Sequence, residues 1–388
     1  MGLAMTAERI KHAQELLKEL NYDGWVILTN HGQDLHALLL LGKKNPGRLS
    51  IIVTPNENPH IIVSQMEAPI FEDIVGIEVS SYSDTKQLVE QIKNEFSQFS
   101  DTSKIILDYV DDPLGRDDTF DLMTYGEVTK LKTMFPEISF ESAAPFLKKL
   151  RTKKTEAEIK AHEIACKYTL EILEDIPNFV HVGMSERDIL SEIDCRSKKV
   201  GEPAFDTIVG IGPDAASPHH VPSSFEKLGN DELLLIDMGI SITDPSPASS
   251  DQTWTFYTGK PTEQALRMYE AVYEAKERAI KAAKPGIPAY TLDEITRATI
   301  EEFGFDEKKL FIHATGHPLG IEVHDVGPII SKKSPNSEQL LETNMVLTVE
   351  PGLYIKDLGG VRLEDDIVIT KTGCKRLSYT PPELIQIR

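Results

Sequence analysis

The sequence predicts an α/β protein with two domains, at residues 1–146 and 150–388. Helical and strand-like hydrophobic periodicities alternate along the first range, as in a compact layered α/β domain. The second range ends in a strand-rich region in which polar side chains interrupt apolar segments. The chain has 388 residues, 40% of them hydrophobic, so it is long enough for two or three domains and apolar enough for a full core.

The first domain begins with a predicted amphipathic helix over residues 7–20, where Ile10, Leu16 and Leu20 share one face. A hairpin is predicted where strands 49–54 and 60–64 flank a turn rich in proline and asparagine. Ser142–Arg151 is interpreted as the junction to the second domain. The other predicted elements are strands at 25–29 and 104–109 and helices near 66–74, 85–97 and 118–134.

No catalytic constellation is evident in this first domain. Asp108, Asp111 and Asp112 are interpreted as a solvated turn, and the run Leu38–Leu41 as core. The sequence identifies no partner for the histidines of the domain, which are His31, His36 and His60.

Two capped helices open the second domain. Thr155, with Glu158 three residues later, predicts a long helix that runs to about Asp175. Ser185, with Asp188, predicts a second helix over residues 185–200. Further predicted elements are a strand at 205–212, helices at about 263–283 and 291–303, and a strand-rich region after about residue 313.

Polar side chains of the metal-binding type occur within the β-rich segments of the second domain. In Leu233–Met238, four consecutive apolar residues precede Asp237. An isolated aspartate after an apolar run is typical of a turn, but four similar side chains follow. Burying four carboxylates together is prohibitive without opposite charge, which two divalent cations would supply. The predicted ligands are Asp237, Asp251, His317, Glu350 and Glu364.

Strand periodicity predicts which side chains accompany these ligands. Alternate residues of a strand share a face, so Arg362 and Glu364 are expected together within a strand at Val361–Ile369. Asp251 and Thr253 are expected to share a face in the same way. Such neighbours are suited to orienting the ligating carboxylates.

The predicted ligand set, four carboxylates and one imidazole, is rich in oxygen. It suits Mn²⁺ or Co²⁺, with Zn²⁺ or Fe²⁺ as alternatives, better than a metal that selects thiolates. Two such ions can hold a bridging hydroxide that attacks a carbonyl, and they can stabilise the oxyanion that forms. In the predicted arrangement Asp237 binds one ion, His317 binds the other, and the remaining three ligands are shared.

Composition argues against several classes of partner. The formal net charge of −21 disfavours nucleic acid and anionic membranes, since both select for clustered lysine and arginine. We find neither a signal peptide nor an apolar run near the roughly 20 residues of a membrane span. Cys166, Cys195 and Cys374 form no CxxC pair, and we expect them to be reduced in a cytoplasmic protein.

Five motifs resemble, in order, those of the pita-bread metallopeptidases, which include prolidase, aminopeptidase P and methionine aminopeptidase. They lie within residues 150–388 and read LLLIDMG, SSDQTWTF, HATGHPLGIEVHD, TVEPGLY and GVRLEDDIVIT. The resemblance implies a pita-bread catalytic domain in which the five predicted ligands form a dinuclear metal centre. Residues 1–146 resemble the additional domain of creatinase, prolidase and aminopeptidase P. This favours an exopeptidase that cleaves Xaa-Pro bonds in small peptides with proline at the second position.

The resemblance also implies roles for single residues. His219 and His324 would contact the substrate and donate hydrogen bonds to the oxyanion, and His313 would lie near the leaving-group pocket. Arg362 would bind the substrate, or would serve instead as the ion-pair partner of a ligand. Glu350 would take the proton of the attacking water and deliver it to the leaving nitrogen.

The chain departs from the family pattern near the predicted site. Segment 241–250 carries an insertion, and Trp254 stands where an arginine is common. Pro318 occupies a position where glycine or an aromatic residue is usual, and His220 is interpreted as a surface residue. We expect the metal ligands to survive these changes and the substrate pocket to be altered.

Three alternative functions stay open. A creatinase-like amidinohydrolase shares the fold and needs no metal, but the complete ligand set argues against it. A hydrolase of another small amide could use the same two metals in an altered pocket. A binding module that uses the cleft to hold a partner protein is disfavoured, since such relatives usually lose ligands and gain basic tails. The resemblance also makes a homodimer the expected assembly.

Overall fold

The computed structural model describes residues 2–29, 34–44, 47–111 and 120–387. The chain divides into two compact units by its contacts. The first unit comprises Met1–Arg151 with Thr243–Pro247, and the second comprises Thr152–Ile242 with Ala248–Arg388. A short part of the predicted insertion is therefore grouped with the first unit. The domain ranges 1–146 and 150–388 stay a prediction.

A mixed six-stranded sheet forms the centre of the first unit. Its strands are β1 (Gly24–Thr29), β2 (Leu49–Val53), β3 (His60–Ser64), β4 (Glu78–Tyr82), β5 (Lys104–Leu107) and β6 (Ser139–Ser142). The helices are α1 (Gly2–Leu20), α2 (Leu35–Leu41), α3 (Thr85–Phe96), α4 (Tyr125–Met134) and α5 (Ala144–Thr152). The strand order is β4-β3-β2-β1-β5-β6, and the predicted β2–β3 hairpin is confirmed by antiparallel pairing.

Several predictions for the first unit need correction. The predicted helix near 66–74 is reduced to a 3₁₀ turn at Ala68–Ile70. The predicted helix at 118–134 begins at Tyr125, after a capping box formed by Thr124 and Glu127. The segment Ser142–Arg151 is mostly helix α5, whose Phe146, Leu147 and Leu150 are buried, and its role as the junction stays a prediction.

The interpretation of Asp108 as part of a solvated turn is wrong. Asp108 directly follows β5 and is fully buried, and its carboxylate accepts a hydrogen bond of 2.6 Å from Trp25 Nε1. The ring of His36 lies between Asp108 Oδ2, 2.8 Å from Nδ1, and Arg151 Nη1, 3.2 Å from Nε2. A carboxylate buried in an apolar core requires such partners, and they come from distant parts of the chain.

The remaining predictions for single residues of the first unit have different outcomes. Asp111 is exposed, as expected, whereas Asp112 and His31 lie outside the described residues. His60 Nδ1 lies 2.7 Å from a carboxylate oxygen of Glu95, so this histidine has a partner that the sequence did not identify. The run Leu38–Leu41 lies in α2, and its last three residues are buried, as predicted for core.

The second unit contains several small sheets and long helices. Its helices are α6 (Glu156–Phe179), α7 (Glu186–Ser197), α8 (Glu263–Ala282), α9 (Tyr290–Glu302) and α10 (Glu307–Leu310). Its first strands are β7 (Glu202–Pro203), β8 (Ile208–Ile211), β9 (Leu233–Met238), β10 (Ile240–Ile242), β11 (Ala248–Ser249) and β12 (Gln252–Thr258). The later strands are β13 (Val346–Val349), β14 (Gly352–Ile355), β15 (Gly359–Arg362), β16 (Asp365–Ile369), β17 (Cys374–Arg376) and β18 (Ile385–Ile387).

Both predicted capping boxes are confirmed in the second unit. The Thr155 hydroxyl accepts the N–H of Glu158, whose carboxylate in turn accepts the N–H of Thr155. Ser185 and Asp188 make the same reciprocal pair at the start of α7. Helix α6 continues to Phe179, beyond the predicted end. None of the helices that the structure describes combines the length and apolar character needed to cross a membrane.

The strand predicted at Val361–Ile369 is interrupted. Strands β15 and β16 belong to different sheets, and the break falls at Leu363 and Glu364. The N–H of Glu364 donates to the carbonyl of Thr253, at 3.0 Å, so the break connects β16 to strand β12. In the antiparallel pair of β12 with β9, Thr253 lies opposite Asp237. The two side chains therefore share one face of the sheet.

Candidate metal centre

The second unit brings the five predicted ligands into one cluster, although they come from separate strands and loops. Each lies in or directly beside a strand, except His317, which lies in the loop before β13. Asp237 is within β9, Asp251 precedes β12, Glu350 follows β13, and Glu364 lies between β15 and β16. Because strand ends and breaks interrupt regular pairing, they can direct polar side chains toward a common point.

Two short contacts of the cluster involve His317. Its Nε2 lies 3.3 Å from Asp251 Oδ2 and 3.5 Å from Glu350 Oε1. Potential ligand atoms of Asp251, His317 and Glu364 all lie within 4.8 Å of one another. The structure thus assembles an imidazole nitrogen and several carboxylate oxygens, which is the donor chemistry predicted for the site.

His317 presents a lone pair to the carboxylates. Its Nδ1 lies 3.1 Å from the carbonyl oxygen of Pro318, which can only accept a hydrogen bond, so Nδ1 carries the proton. Burial lowers the pKa of His317 to about 3, and the ring is therefore neutral at ordinary pH. Nε2 then has no proton to offer to Asp251 or Glu350. A cation between these acceptors would complete the arrangement.

Three of the predicted ligands have a buried carboxylate oxygen that lacks a hydrogen-bond partner. These oxygens are Asp237 Oδ1, Asp251 Oδ1 and Glu364 Oε1. Buried polar atoms are nearly always paired, and an unpaired buried carboxylate oxygen is costly. Three such oxygens in a cluster that also contains the unprotonated nitrogen of His317 form a donor set that suits divalent cations, so the residues fit such ions.

The pKa values of the clustered carboxylates also support bound cations. Burial, together with the charge of Glu364, raises the pKa of Asp251 well above its ordinary value. Burial and the charge of Glu350 do the same to the pKa of Glu364, and burial raises the pKa of Glu350 to about 8. Burial and mutual repulsion therefore disfavour the ionised forms of these carboxylates. Bound cations would compensate the negative charge and stabilise those forms.

Thr253 and Arg362 connect the carboxylates. The Thr253 hydroxyl donates to Glu364 Oε2 at 2.7 Å and accepts from Arg362 Nε at 3.1 Å. Arg362 Nη2 in turn donates to Asp237 Oδ2 at 2.6 Å. Thr253 thus orients Glu364 and not Asp251, the neighbour expected from strand alternation. The difference arises because the break at Glu364 brings its side chain across to β12.

Asp366, and not Thr253, binds Asp251 through its backbone N–H. One carboxylate oxygen of Asp366, Oδ2, accepts the N–H of Asp251 at 3.0 Å and the thiol of Cys166 at 3.1 Å. Burial raises the pKa of Asp366 to about 8. All three cysteines are free thiols, with Cys166 buried, Cys195 exposed and Cys374 half-buried.

Tyr354 is a functional candidate that the sequence pattern did not single out. Its hydroxyl accepts from Arg362 Nη1 at 2.9 Å and donates to His313 Nε2 at 2.7 Å, while His313 Nδ1 donates to the carbonyl of Ala314. Burial raises the pKa of Tyr354 to about 12 and lowers that of His313 to about 3, so both are neutral. Gly352, two residues earlier, pairs with Arg362, so Tyr354 shares a face of the ribbon with Arg362, but this register is known only from the structure.

The predicted substrate-contacting histidines lie around the same centre. The ring centroid of His324 is 4.3 Å from that of His317, in an edge-on arrangement. His219 is exposed, and burial lowers the pKa of both His313 and His324, with a smaller contribution from the nearby His219. The carbonyl oxygen of Pro218, the preceding residue, lies 3.3 Å from Arg362 Nη1. The structure therefore brings all three histidines to the vicinity of the predicted metal ligands.

The structure shows the setting of two departures from the family pattern, Trp254 and segment 241–250, and of the nearby His220. Trp254 is only 2% exposed and packs in an apolar core, where its Nε1 donates to the carbonyl of Tyr379 at 3.2 Å. His220 is not a free surface residue, because its Nε2 lies 2.7 Å from the buried carboxylate of Glu186. Within segment 241–250, β10 and β11 pair as antiparallel strands.

Comparison with known proteins identifies the family of this chain. Residues 160–371 match the description "Metallopeptidase family M24". An Xaa-Pro dipeptidase of Pyrococcus furiosus is 35% identical over 338 residues, which cover 86% of this chain and 90% of that protein. The prolidase of Pyrococcus horikoshii OT3 superposes with a TM-score of 0.79 at 29% identity, over 97% of this chain and 100% of that one. The X-Pro aminopeptidase of Thermotoga maritima MSB8 shares the fold, with a TM-score of 0.84 at 24% identity, covering 96% of this chain and 100% of that one.

The fold and the buried centre define a metal-dependent peptidase whose chain matches solved prolidases over nearly its whole length. The protein belongs to metallopeptidase family M24. The fold class and the family predicted from the five motifs are therefore confirmed, as is the enzyme class of metallopeptidase.

Proposed function

We propose that this enzyme hydrolyses the peptide bond before proline, as an Xaa-Pro dipeptidase or an Xaa-Pro aminopeptidase. The observation that carries metal-dependent hydrolysis is the cluster of carboxylates and the neutral His317, in which three carboxylate oxygens have no hydrogen-bond partner. Further support comes from the Pyrococcus furiosus relative, which is named an Xaa-Pro dipeptidase and aligns with this chain over 90% of its length. We also propose that the enzyme acts in the cytoplasm as a homodimer, on small peptides and without nucleic-acid or membrane partners.

Two divalent cations would be held by the five clustered side chains, with Mn²⁺ or Co²⁺ favoured and Zn²⁺ or Fe²⁺ as alternatives. When bound, they would supply Lewis acidity that lowers the pKa of a water molecule and polarises the scissile carbonyl. The proposed ligands are Asp237, Asp251, His317, Glu350 and Glu364. The neutral state of His317 and the raised carboxylate pKa values both support this assignment.

Glu350 is the proposed general base. Its carboxylate lies at the end of β13 beside His317, and it is placed to take a proton from the attacking water and pass it to the leaving nitrogen. His219 and His324 are exposed near the centre and are proposed to donate hydrogen bonds to the carbonyl oxygen as it gains negative charge. His313, held by Tyr354, is proposed to line the leaving-group side of the cleft.

Arg362 is best assigned a positioning role. It is 3% exposed, and its three nitrogens donate to Thr253, to Tyr354 and to the carboxylate of Asp237. A guanidinium whose nitrogens are all engaged within the protein has little capacity left for a substrate carboxylate. Of the two roles that the resemblance left open, the ion pair with a ligand is the one that this geometry supports.

The proposal is tested by hydrolysis after loading with Mn²⁺, with an Xaa-Pro dipeptide, an Xaa-Pro-Yaa tripeptide and an Xaa-Ala dipeptide side by side. Cleavage of the Xaa-Pro dipeptide alone identifies a dipeptidase, and cleavage of the tripeptide identifies an aminopeptidase. Metal content is measured in the same samples. If two ions bind per chain and neither proline peptide is cleaved, the Xaa-Pro assignment is wrong, and other small amides become the substrates to test. Size-exclusion chromatography with light scattering tests the proposed homodimer.

A further inference from the structure

Glu186, the first residue of helix α7, makes contacts that the metal centre does not explain. Its side chain is fully buried, yet it pairs with no lysine or arginine in the described residues. Its Oε1 accepts the N–H of Ile211 at 2.9 Å, and its Oε2 accepts the N–H of Ser223 at 2.7 Å. Oε2 also lies 2.7 Å from Nε2 of His220. Glu186 therefore binds both ends of the segment 211–223, and His220 within it.

This segment carries groups that face the metal centre. It contains His219, a proposed donor to the substrate oxyanion, and Pro218, whose carbonyl oxygen lies 3.3 Å from Arg362 Nη1. The segment also folds back on β8, since a Cβ added at Gly210 would lie 2.8 Å from the Cα of Ala215. One side of the segment thus contacts Arg362, and the other is fixed by Glu186.

We propose that Glu186, with His220, is a positioning pair that holds the segment 211–223 so that His219 points at the substrate carbonyl. The inference rests on the proposed function, because it assigns Glu186 a part in the reaction through His219. Glu186 itself lies outside the reacting atoms, and its effect on rate is therefore indirect.

The chemistry of the pair suits this role better than metal binding. A carboxylate can accept several hydrogen bonds, and three N–H donors satisfy one buried charge without a counterion. Because Glu186 lies in the first turn of α7, the partial positive charge at the N-terminus of the helix also stabilises its carboxylate. Glu186, Asp214 and His220 do lie close enough together to suggest a cation site. Because the oxygens of Glu186 already accept from protein N–H groups, we assign the cluster to positioning.

The kinetic test uses the full-length enzyme loaded with Mn²⁺ and an Xaa-Pro dipeptide. Glu186→Gln keeps the size of the side chain but turns one acceptor into a donor that faces other donors. We expect kcat to fall by about tenfold with KM changed less than about threefold, because a misplaced oxyanion donor weakens transition-state stabilisation. Glu192→Gln is the matched control, since it removes a negative charge from an exposed position of the same helix, where Glu192 pairs with Arg196 and not with the segment, and it should retain activity within about twofold.

A double-mutant cycle distinguishes positioning from general damage. If Glu186 acts through His219, the Glu186→Gln change should have no further effect on kcat in a His219→Ala background. Additive losses in the cycle would overturn the proposal. His220→Phe removes one donor and should lower kcat by about threefold, whereas His220→Gln keeps an N–H near the position of Nε2 and should restore most of it.

Hydrogen–deuterium exchange tests the anchor without any substrate. In the Glu186→Gln variant, peptides spanning 208–224 should exchange at least about tenfold faster at the amides of Ile211 and Ser223, while the Glu192→Gln variant should match the parent. Unchanged exchange would overturn the anchor, whatever the kinetics. If the parent enzyme does not cleave Xaa-Pro peptides but exchange rises as expected, the proposed substrate is wrong and the anchoring of segment 211–223 stands.

Discussion

Arg362 Nη2 and Asp237 Oδ2 are 2.6 Å apart, and this buried ion pair joins the β14–β15 ribbon to a proposed metal ligand on strand β9. The same guanidinium donates to Thr253 and Tyr354, so it connects the proposed metal ligands with the hydrogen bonds around His313. A single planar side chain therefore sets the relative positions of groups from three strands. Because Asp237 compensates the charge of Arg362, this guanidinium cation is tolerated inside a site that is proposed to bind metal cations.

The geometry of Arg362 predicts that lysine cannot replace it. Arg362→Lys keeps the positive charge but offers a point donor in place of a planar fork with three engaged nitrogens. We expect kcat/KM for an Xaa-Pro dipeptide to fall by about 10- to 100-fold, since Asp237 and Tyr354 lose their shared donor. Arg267→Lys, at a more exposed position in α8, serves as the control. A lysine variant as active as the parent would contradict the positioning role.

Glu350→Gln should remove most activity and preserve the fold. The amide cannot take a proton from the attacking water, and the loss of general base catalysis is worth about 10²–10⁴-fold in rate. Steady-state kinetics give the effect, and circular dichroism with metal analysis shows whether fold and metal content are retained. Glu338→Gln, at an exposed position, is the control. Full activity in the Glu350 variant would refute the role.

Metal binding should release protons at neutral pH. In the metal-free centre burial raises the pKa of Glu350 to about 8, so this carboxyl is mostly protonated at pH 7, whereas a ligating carboxylate is not. Metal affinity should therefore rise with pH between about 6 and 8. Calorimetric titration with Mn²⁺ in two buffers of different ionisation enthalpy measures the protons released, and we expect about one or more per chain. A binding enthalpy independent of buffer would contradict this account.

Asp34 should destabilise the first unit at neutral pH. Burial, with a smaller contribution from the charge of Asp108, raises the pKa of Asp34 from 3.8 to about 6. The folded chain thus binds the proton more tightly, so the stability that this proton gives is present below pH 3.8 and is lost as pH rises through 6. Asp34→Asn keeps the N-cap of α2, which accepts from His36 and Ala37. We expect a gain of about 1–3 kcal/mol at pH 7.5.

Urea unfolding of the full chain at pH 7.5 and at pH 4, followed by exchange at α2, measures this gain. The difference between the Asp34→Asn variant and the parent should disappear at the lower pH, where both carry a neutral cap. A gain that is equal at both pH values would indicate a cause other than ionisation.

Trp254 is expected to affect stability and not substrate selection. Trp254→Phe should cost about 1–3 kcal/mol of folding free energy from lost packing and leave KM within about twofold. Trp254→Arg, which places the family's common residue in this apolar core, should cost more than about 3 kcal/mol because it buries an unpaired charge. Thermal unfolding and kinetics measure both effects. A Trp254→Phe variant with normal stability and a KM changed by more than fivefold would show that Trp254 does shape the pocket.

Local pattern was sufficient for much of the second unit. Asp237 ends an apolar run, Glu350 precedes Pro351, and two capping boxes start α6 and α7, all within a few residues of sequence. Strand alternation and helix caps are properties of neighbouring residues, so they can be recognised without knowing what packs against them. The same local character made the five ligand candidates and their motifs recognisable before their geometry was known.

The partners of buried polar groups could not be found in this way. Asp108 read as a turn residue and His220 as a surface residue, yet each pairs with a side chain far away in the chain. The apparent strand at Val361–Ile369 breaks at Glu364 because its two halves join different sheets. Periodicity gives the face of a residue, but its burial and its hydrogen-bond partner depend on which distant segment packs there. That choice is made by the folded chain as a whole, and it placed Tyr354 and Glu186 among the groups that position the centre.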